Sequence, residues 1–166
     1  MRLYPDYYCK DVTAISLDFL NDHNIKGIIL DVDNTLIDIN RNILHGAKEW
    51  HNKLKNAGIK SIILSNSNKE DKVRNVANIL DIEYINLAKK PLKSGFKKAK
   101  EKLNLKEESI AVIGDQIFTD IIGANRCNMF SILVEPISKK DLLITKWKRP
   151  IENWIIKKYL KNKEAN

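Results

Sequence analysis

Short apolar runs alternate along this chain with segments of helical period. Four runs are too short for helices and rich in β-branched residues, so we interpret them as buried strands at residues 28–30, 61–64, 110–113 and 131–134. A weaker fifth strand is predicted at residues 83–86. This alternation predicts an α/β domain with three layers, in which helices cover both faces of a mainly parallel five-stranded sheet.

The segments between these strands carry apolar residues at helical spacing. We predict a first helix around Trp50 and Leu54, ended by Gly58, and a second helix from Val73 to Leu80, capped by Ser67 or Asn68. A third helix is predicted around Phe96, Ala99 and Leu103, and a fourth from near Phe118 to Arg126.

The composition fits one globular domain over residues 1–166. The chain is 43% hydrophobic and 30% charged, and its apolar runs are all shorter than the roughly 18 residues that a membrane-spanning helix requires. The first residues contain no apolar stretch typical of a secretion signal. We therefore expect a cytoplasmic protein, in which Cys9 and Cys127 are reduced and have no metal-binding spacing.

The net charge of +8 is concentrated in two segments. Residues 89–106 contain eight lysines and one glutamate, and residues 139–166 contain nine basic and three acidic residues. The ordinary explanation is that lysines solvate exposed helix faces. The uneven distribution also favours an anionic partner.

The sequence Asp31-Val32-Asp33-Asn34-Thr35 directly follows the first predicted strand. Its two carboxylates, at positions i and i+2, leave the end of the strand on one side. They are placed to share a divalent cation or to divide nucleophile and acid duties. Ser65-Asn66 follows the second strand and Gly114-Asp115 the third, so all three groups are expected in the crevice at the carboxyl ends of the strands.

On these residues the chain resembles the haloacid dehalogenase-like (HAD) phosphatase superfamily. The four motifs of that superfamily occur in order between about residues 28 and 125: Asp31 to Thr35, Ser65-Asn66, a lysine at Lys89-Lys90-Pro91, and Gly114-Asp115 with Asp120. The resemblance implies a Rossmann-like core and hydrolysis of phosphomonoesters through an aspartyl-phosphate.

The resemblance also implies a role for each motif residue. Asp31 would be the nucleophile, and Asp33 would protonate the leaving oxygen and then activate water. Mg²⁺ would be held by the carboxylates of Asp31 and Asp115 and by the carbonyl of Asp33. Ser65 and the amide of Asn66 would hold phosphoryl oxygens.

Three further assignments complete the predicted site. Lys90 precedes Pro91, as the motif-three lysine often does in this superfamily, and is preferred to the neighbouring Lys89, which stays an alternative. Asp120 would be a supporting carboxylate that orients the lysine or a metal-bound water. Thr35 is assigned a supporting position at the end of motif one.

Members of this superfamily often carry a cap domain after motif one or between motifs two and three. Residues 36–60 have room for a flap and one helix, and residues 67–88 for one helix and an edge strand. We therefore predict a capless enzyme with an open site. Such a site favours a large or surface-bound substrate, unless another subunit supplies the cover.

Further residues resemble the bacterial YqeG family of HAD class IIIA phosphatases: Leu3 to Asp6, Ile25 to Ile28, Gly114 to Gln116, and Thr119-Asp120. That family is similar to phosphatidylglycerophosphatases of mitochondria and plastids. The resemblance implies a phospholipid head group as substrate, with phosphatidylglycerophosphate as the preferred candidate.

A basic amphipathic segment is predicted at about residues 140–163. Its apolar residues, spaced by three or four, are Trp147, Ile151, Trp154, Ile155 and Tyr159, and lysines lie among and after them. An aromatic stripe beside lysines suits peripheral contact with an anionic membrane at its inner face. Packing of the stripe on the domain is the alternative, and the two are compatible in part.

Two other functions stay open. The same chemistry would serve a phosphoprotein, a nucleotide or a nucleic-acid end. A function of another class is a non-catalytic module that binds nucleic acid or ribosomes, although the sequence shows no RNA-binding motif or interleaved stacking aromatics. The oligomeric state is not predicted.

Overall fold

The computed structural model describes residues 3–138 and 149–164. Within this part of the chain, six strands form one sheet in the order β1-β6-β5-β2-β3-β4, and every neighbouring pair is parallel. The strands are β1 Tyr7–Cys9, β2 Gly27–Leu30, β3 Lys60–Leu64, β4 Glu83–Ile85, β5 Ile110–Gly114 and β6 Phe130–Val134. The α/β class predicted from the alternating pattern is confirmed.

The sheet has one strand more than the sequence predicts. Strand β1 lies at the edge beside β6, where Tyr7 is opposite Ile132 and Cys9 is opposite Val134. It is only three residues long and half-buried, so it produces neither a continuous apolar run nor a clear alternation. The other five strands, including the weaker one at β4, begin and end within one residue of their predicted positions.

The order of the strands determines where a site can form. The chain runs from β2 outward through β3 to β4, and then returns to place β5 on the other side of β2. The crossovers on the two sides of β2 therefore diverge, which opens a crevice beyond the carboxyl ends of β2 and β5. All four residues of β2 are buried, as a central strand of a parallel sheet requires.

Helices cover both faces of the sheet. They are α1 Leu17–Asp22, α2 Ala47–Asn56, α3 Glu70–Leu80, α4 Lys93–Leu103, α5 Ile122–Arg126 and α6 Arg149–Glu164. Helices α2 and α3 contribute Leu54 and Val76 to the core on one face, whereas α4 contributes Phe96 and Ala99 to the core on the other face. This is the predicted three-layer arrangement.

Local sequence signals predict the end of α2 correctly but not the start of α3. Helix α2 ends as predicted, with Gly58 in a left-handed conformation at φ 84°. Helix α3 starts at Glu70 and has no side-chain cap, so the prediction of a cap at Ser67 or Asn68 is wrong. The Ser67 hydroxyl instead accepts a hydrogen bond from the amide of Lys69 at 3.1 Å, within the turn before the helix.

The segment predicted as a fourth helix is divided in two. Residues Ile117–Ile121 form a π-helical turn, and α5 follows from Ile122 to Arg126. Periodicity over nine residues predicts a helical segment but does not distinguish a π turn from an α turn. The distinction matters because this turn carries Asp120.

The described residues between the motifs contain no inserted domain. After Thr35 a flap folds back through bridges that join Ile37 to Asp33 and to Ile43, and α2 follows. Between β3 and Lys90 the chain forms only α3 and β4. Among the helices described, none is long and apolar enough to cross a membrane.

Candidate active site

A tight turn after β2 holds the Asp31–Thr35 sequence at the divergence of the sheet. The amide of Asp31 donates to the carbonyl of Ile113 at 2.9 Å, so Asp31 stays in register with β5. The turn then closes through a hydrogen bond from the amide of Leu36 to the carbonyl of Val32 at 2.9 Å, and Asn34 takes a left-handed conformation at φ 60°. The Thr35 hydroxyl, fully buried, donates to Oδ2 of Asp31 over 3.4 Å.

Lys90 lies at the centre of the site. Its Nζ contacts Oδ1 of Asp31 and Oδ1 of Asp120, each at 2.6 Å, and the residue is only 7% exposed. The neighbouring Lys89 is exposed. The structure therefore places Lys90, the preferred candidate, among the predicted catalytic residues.

The ionisation of this pair follows from burial and charge. Burial raises the pKa of Asp31 to about 6, although the nearby Lys90 ammonium lowers it and the charge of Asp120 raises it further. Burial alone would lower the pKa of Lys90, but Asp120 and Asp31 together raise it above its usual range. Lys90 is thus a permanent cation between two buried carboxyl groups.

Three buried carboxylates converge beside Lys90. Oxygens of Asp31, Asp115 and Asp120 lie within 4.8 Å of one another. Asp31 follows β2, Asp115 follows β5, and Asp120 lies on the π turn. The carboxylate of Asp120 completes this group, whereas that of Asp33, two residues after Asp31, lies outside it.

The Ser65-Asn66 pair lies at the end of β3, the next strand across the sheet. Ser65 is buried and its hydroxyl accepts a hydrogen bond from the amide of Ser67 at 3.1 Å. The side chain of Asn66 binds the backbone of Lys90 in both directions: the Lys90 amide donates to Oδ1 at 2.7 Å, and Nδ2 donates to the Lys90 carbonyl at 3.0 Å. Asn66 therefore positions the lysine, an interaction that the sequence pattern did not suggest.

Asp33 has a partner that was not predicted. Nζ of Lys72, on the first turns of α3, lies 2.5 Å and 2.7 Å from the two carboxylate oxygens of Asp33. The side chain of Lys72 is 12% exposed. The sequence offers one indication that Lys72 lies near the site, which is its position shortly after motif two, on the helix that follows the carboxyl end of β3.

Gly114 permits the close approach of Asp120. A Cβ atom on Gly114 would overlap the carboxyl group of Asp120. That carboxyl group also accepts hydrogen bonds from the amide of Gln116 at 3.2 Å and the Thr119 hydroxyl at 3.3 Å. It can therefore move away only by giving up these bonds and its contact with Lys90.

We expect Gly114→Ala to lower the free energy of unfolding by about 1–3 kcal/mol, the usual cost of overpacking, and to abolish most of the activity. Gly123→Ala is the matched control, since its Cβ would overlap the ring of Phe96 in the core instead. Urea unfolding and phosphate-release assays should show that both variants are destabilised but only Gly114→Ala loses activity at a temperature where both are folded. Equal activity losses would contradict this role of Gly114.

Helix α6 packs against the turn that carries Asp120. Ile155 and Tyr159 are buried, and Glu152, 2% exposed, accepts a hydrogen bond from the amide of Phe118 at 3.2 Å. Trp154 is 62% exposed and Ile151 47%. The predicted stripe is therefore divided between the domain and the outer surface, and Trp147 lies outside the described residues.

The chain is similar to proteins of known family in sequence and in fold. A family model described as haloacid dehalogenase-like hydrolase matches residues 39–128. This range includes Ser65, Lys90 and Asp115 but begins after Asp31. A curated relative extends further: the chain is 39% identical over 153 residues to the probable phosphatase YqeG of Bacillus subtilis, covering 92% of this chain and 88% of that protein.

Solved structures show the same fold. An uncharacterized protein from Listeria monocytogenes aligns with a TM-score of 0.55 and 22% identity, over 72% of this chain and 86% of that one. The cobalt-bound deoxy-D-mannose-octulosonate 8-phosphate phosphatase of Haemophilus influenzae aligns with a TM-score of 0.50 and 22% identity, over 56% of this chain and 60% of that one. At these identities the likeness concerns the fold.

Proposed function

Because the chain belongs to the haloacid dehalogenase-like hydrolase family, we propose that this phosphatase hydrolyses phosphomonoesters by forming an aspartyl-phosphate on Asp31. The observation that carries the proposal is the buried group in which Lys90 contacts both Asp31 and Asp120 at 2.6 Å. A nucleophilic carboxylate, a fixed cation and further carboxylates thus meet at the switch point of the sheet.

In the proposed first step, a carboxylate oxygen of Asp31 attacks the phosphorus while the ester bond breaks. Asp33 gives a proton to the leaving alcohol oxygen. In the second step, Asp33 takes a proton from water, the water oxygen attacks the phosphorus, and inorganic phosphate leaves with Asp31 regenerated. Lys90 stabilises the negative charge on the phosphoryl oxygens in both steps, and Ser65 and the amide of Asn66 hold those oxygens.

The donor set fits a magnesium ion. The carboxylates of Asp31 and Asp115 are hard oxygen ligands, and with Asp120 they lie close enough for a single ion. We assign Asp31, Asp115 and the carbonyl of Asp33 as ligands, with Asp120 in support. When bound, Mg²⁺ offsets the repulsion between the nucleophile and a phosphate dianion.

Phosphatidylglycerophosphate is our preferred substrate. The described chain has no cap over the site, so a head group held at a membrane surface can reach it. Helix α6 exposes Ile151 and Trp154 beside lysines, and Nζ of Lys158 lies 5.2 Å from the centre of the Trp154 ring. These features support peripheral contact with an anionic membrane.

Phosphate-release assays test both levels of the proposal. The purified chain should hydrolyse an aryl phosphate with Mg²⁺ and lose this activity in EDTA. In mixed micelles it should prefer phosphatidylglycerophosphate to phosphatidic acid, a lipid phosphomonoester without the second glycerol. Equal rates on the two lipids would contradict the proposed substrate, and no release from any ester would contradict the phosphatase mechanism.

RNA binding that weakens steeply with salt, without phosphate release, would favour a binding module instead.

The raised pKa of Asp31 predicts a pH-dependent stability in the metal-free protein. Because this pKa rises on folding from 3.8 to about 6, the folded state binds the proton more tightly. The protonated Asp31 therefore stabilises the folded state. This contribution to the free energy of unfolding is fully present below pH 3.8, is lost as the pH rises through about 6, and amounts to up to about 3 kcal/mol for a pKa shift of this size.

We therefore expect the free energy of unfolding of the wild type, minus that of Asp31→Asn, to fall between pH 4 and pH 7 in urea titrations with EDTA. Added Mg²⁺ binds the ionised carboxylate, so its stabilising effect should grow over the same pH interval. A difference that does not vary with pH would contradict the raised pKa.

A further inference from the structure

We propose that a small cavity beside Asp33 binds a second anionic group, carried by the alcohol part of the phosphomonoester substrate. The inference rests on the proposed function, because Asp33 marks the leaving-group side of the site only if it is the acid. The group would be of the phosphate type, and either a phosphodiester in a lipid head group or a second phosphate in a soluble ester provides that chemistry.

The cavity lies between the flap after motif one and the start of α3. Its volume is about 100 Å³, enough for a small anionic group or a few water molecules. Three cationic side chains, of Arg41, Lys69 and Lys72, line it. They come from two separate segments, the flap and the start of α3, and the cavity lies between these segments.

Three cations and two carboxylates line this cavity, and a further carboxylate, that of Asp71, pairs with Arg41 from outside the lining. The carboxylates in its lining are Asp33 and Asp38. The carboxylate of Asp38 is hydrogen-bonded within the flap. It accepts from the backbone amides of Asn40 and Asn42, each at 2.8 Å, and from Nδ2 of Asn42 at 3.0 Å. Lys72 already has a carboxylate partner in Asp33. That ion pair does not explain why Lys69 and Arg41 line the same cavity.

The position of the cavity relates it to the leaving group. A general acid must lie within about 2.6–3.2 Å of the oxygen that it protonates, so the alcohol carbon atoms lie next to Asp33. Lys72 contacts both oxygens of Asp33, and its side chain is 12% exposed. A partly buried ammonium attracts an anion more strongly than one in water does. A phosphate two or three carbon atoms from the scissile oxygen would therefore reach Lys72.

The other two cations lie at the protein surface, where their side chains can turn toward a ligand. Lys69 is exposed, and Arg41 is exposed and pairs with Asp71 at 3.1 Å on the surface. Exposed pairs of this kind contribute little to stability. Substitutions at Lys69 and Arg41 can therefore test binding of the second anion without endangering the fold.

The test compares propane-1,3-diol bisphosphate with 3-hydroxypropyl phosphate in steady-state assays of the full chain with Mg²⁺. After a statistical factor of about two for the two equivalent phosphates, wild-type kcat/KM should be at least about tenfold higher for the bisphosphate. Its second phosphate gains the attraction of the partly buried Lys72 ammonium and of the Lys69 and Arg41 cations. Lys69→Met and Arg41→Met should each reduce this ratio about threefold or more, and Lys69→Glu should reduce it further.

Lys98→Met is the matched control, because Lys98 is an exposed lysine on α4 that does not line the cavity. It removes the same charge from the chain and should leave the ratio unchanged. Lys72→Met should also lose the preference, mainly through a higher KM for the bisphosphate. An equal effect of Lys98→Met would mean that the net charge of the protein sets the preference, and would overturn the proposal.

The two sources of the anion are separated by a second pair of substrates. Lys69→Met should lower kcat/KM by a similar factor for soluble glycerol 1,3-bisphosphate and for phosphatidylglycerophosphate in mixed micelles. An effect on the lipid alone would mean that Lys69 acts at the membrane surface, and would overturn the anion subsite.

Failure of the inference is distinct from failure of the proposed function. If the wild type releases phosphate from both propanediol esters at rates within the statistical factor, the phosphatase mechanism stands and the subsite is wrong. If neither these esters nor an aryl phosphate is hydrolysed with Mg²⁺, both are wrong.

Discussion

Asp31→Asn should lower phosphate release by at least about a thousandfold, because an amide cannot form the covalent intermediate. The substitution preserves the shape of a side chain that is 10% exposed and contacts Lys90 and Thr35. The loss should therefore appear in kcat with an aryl phosphate and Mg²⁺, while the circular dichroism spectrum stays that of the wild type.

Asp22→Asn provides the matched control for this substitution. Asp22 is exposed at the end of α1, and activity should be retained within about twofold, as is usual for a surface change. If Asp31→Asn retains more than about a tenth of the wild-type rate, Asp31 is not the nucleophile.

Lys90→Met should reduce both stability and activity. It removes the cation that contacts Asp31 and Asp120, and it leaves two buried carboxyl groups beside each other. Breaking a buried charge network in this way costs about 3–5 kcal/mol in the free energy of unfolding. Phosphate release should fall to near background as well, since no cation then balances the phosphoryl oxygens.

Lys89→Met is an internal control one residue away. Lys89 is exposed, so the same change should alter the free energy of unfolding by less than about 0.5 kcal/mol and leave the activity intact. Urea unfolding at neutral pH measures the first effect. Acidification should recover part of the stability lost in Lys90→Met, because protonation removes the repulsion between Asp31 and Asp120. A larger loss of stability and activity in Lys89→Met than in Lys90→Met would identify Lys89 as the lysine of the site.

Much of the fold followed from local pattern. The strands β2, β3, β5 and β6 contain short runs of apolar and β-branched residues, which is the pattern typical of buried parallel strands. The edge strand Tyr7–Cys9 escaped prediction because its burial is partial and its partner β6 lies more than 120 residues later. Only that long-range pairing makes it a strand.

The candidate site was predictable where residue type and strand end coincide. Asp31, Ser65 and Asp115 each follow an apolar strand, so a parallel sheet brings them to one edge. The choice between Lys89 and Lys90 was not accessible in the same way. Adjacent residues in a loop point in different directions, and their exposure depends on the path of the chain between β4 and α4.

The contacts of Lys72 and Asn66 depend wholly on tertiary structure. Lys72 reaches Asp33 across 39 positions of the chain, and Asn66 binds the backbone of Lys90 across 24. The residues around Lys72 do not distinguish it from a solvated surface group. Motif two predicts Asn66 as a site residue but does not indicate that its side chain binds the backbone of Lys90. Their roles follow from the angle at which α3 leaves β3 and from the course of the loop that carries Lys90.

By itself, the sequence determined the sheet class, the order of the motifs and the edge of the sheet at which they meet, because strand period and motif position are local properties. The tertiary structure decided which lysine enters the site, which carboxylates join Asp31, and which cations lie beside Asp33. These are matters of distance and burial between segments far apart in the chain. Such distances are set by how the helices pack on the sheet, and no local pattern of residues encodes that packing.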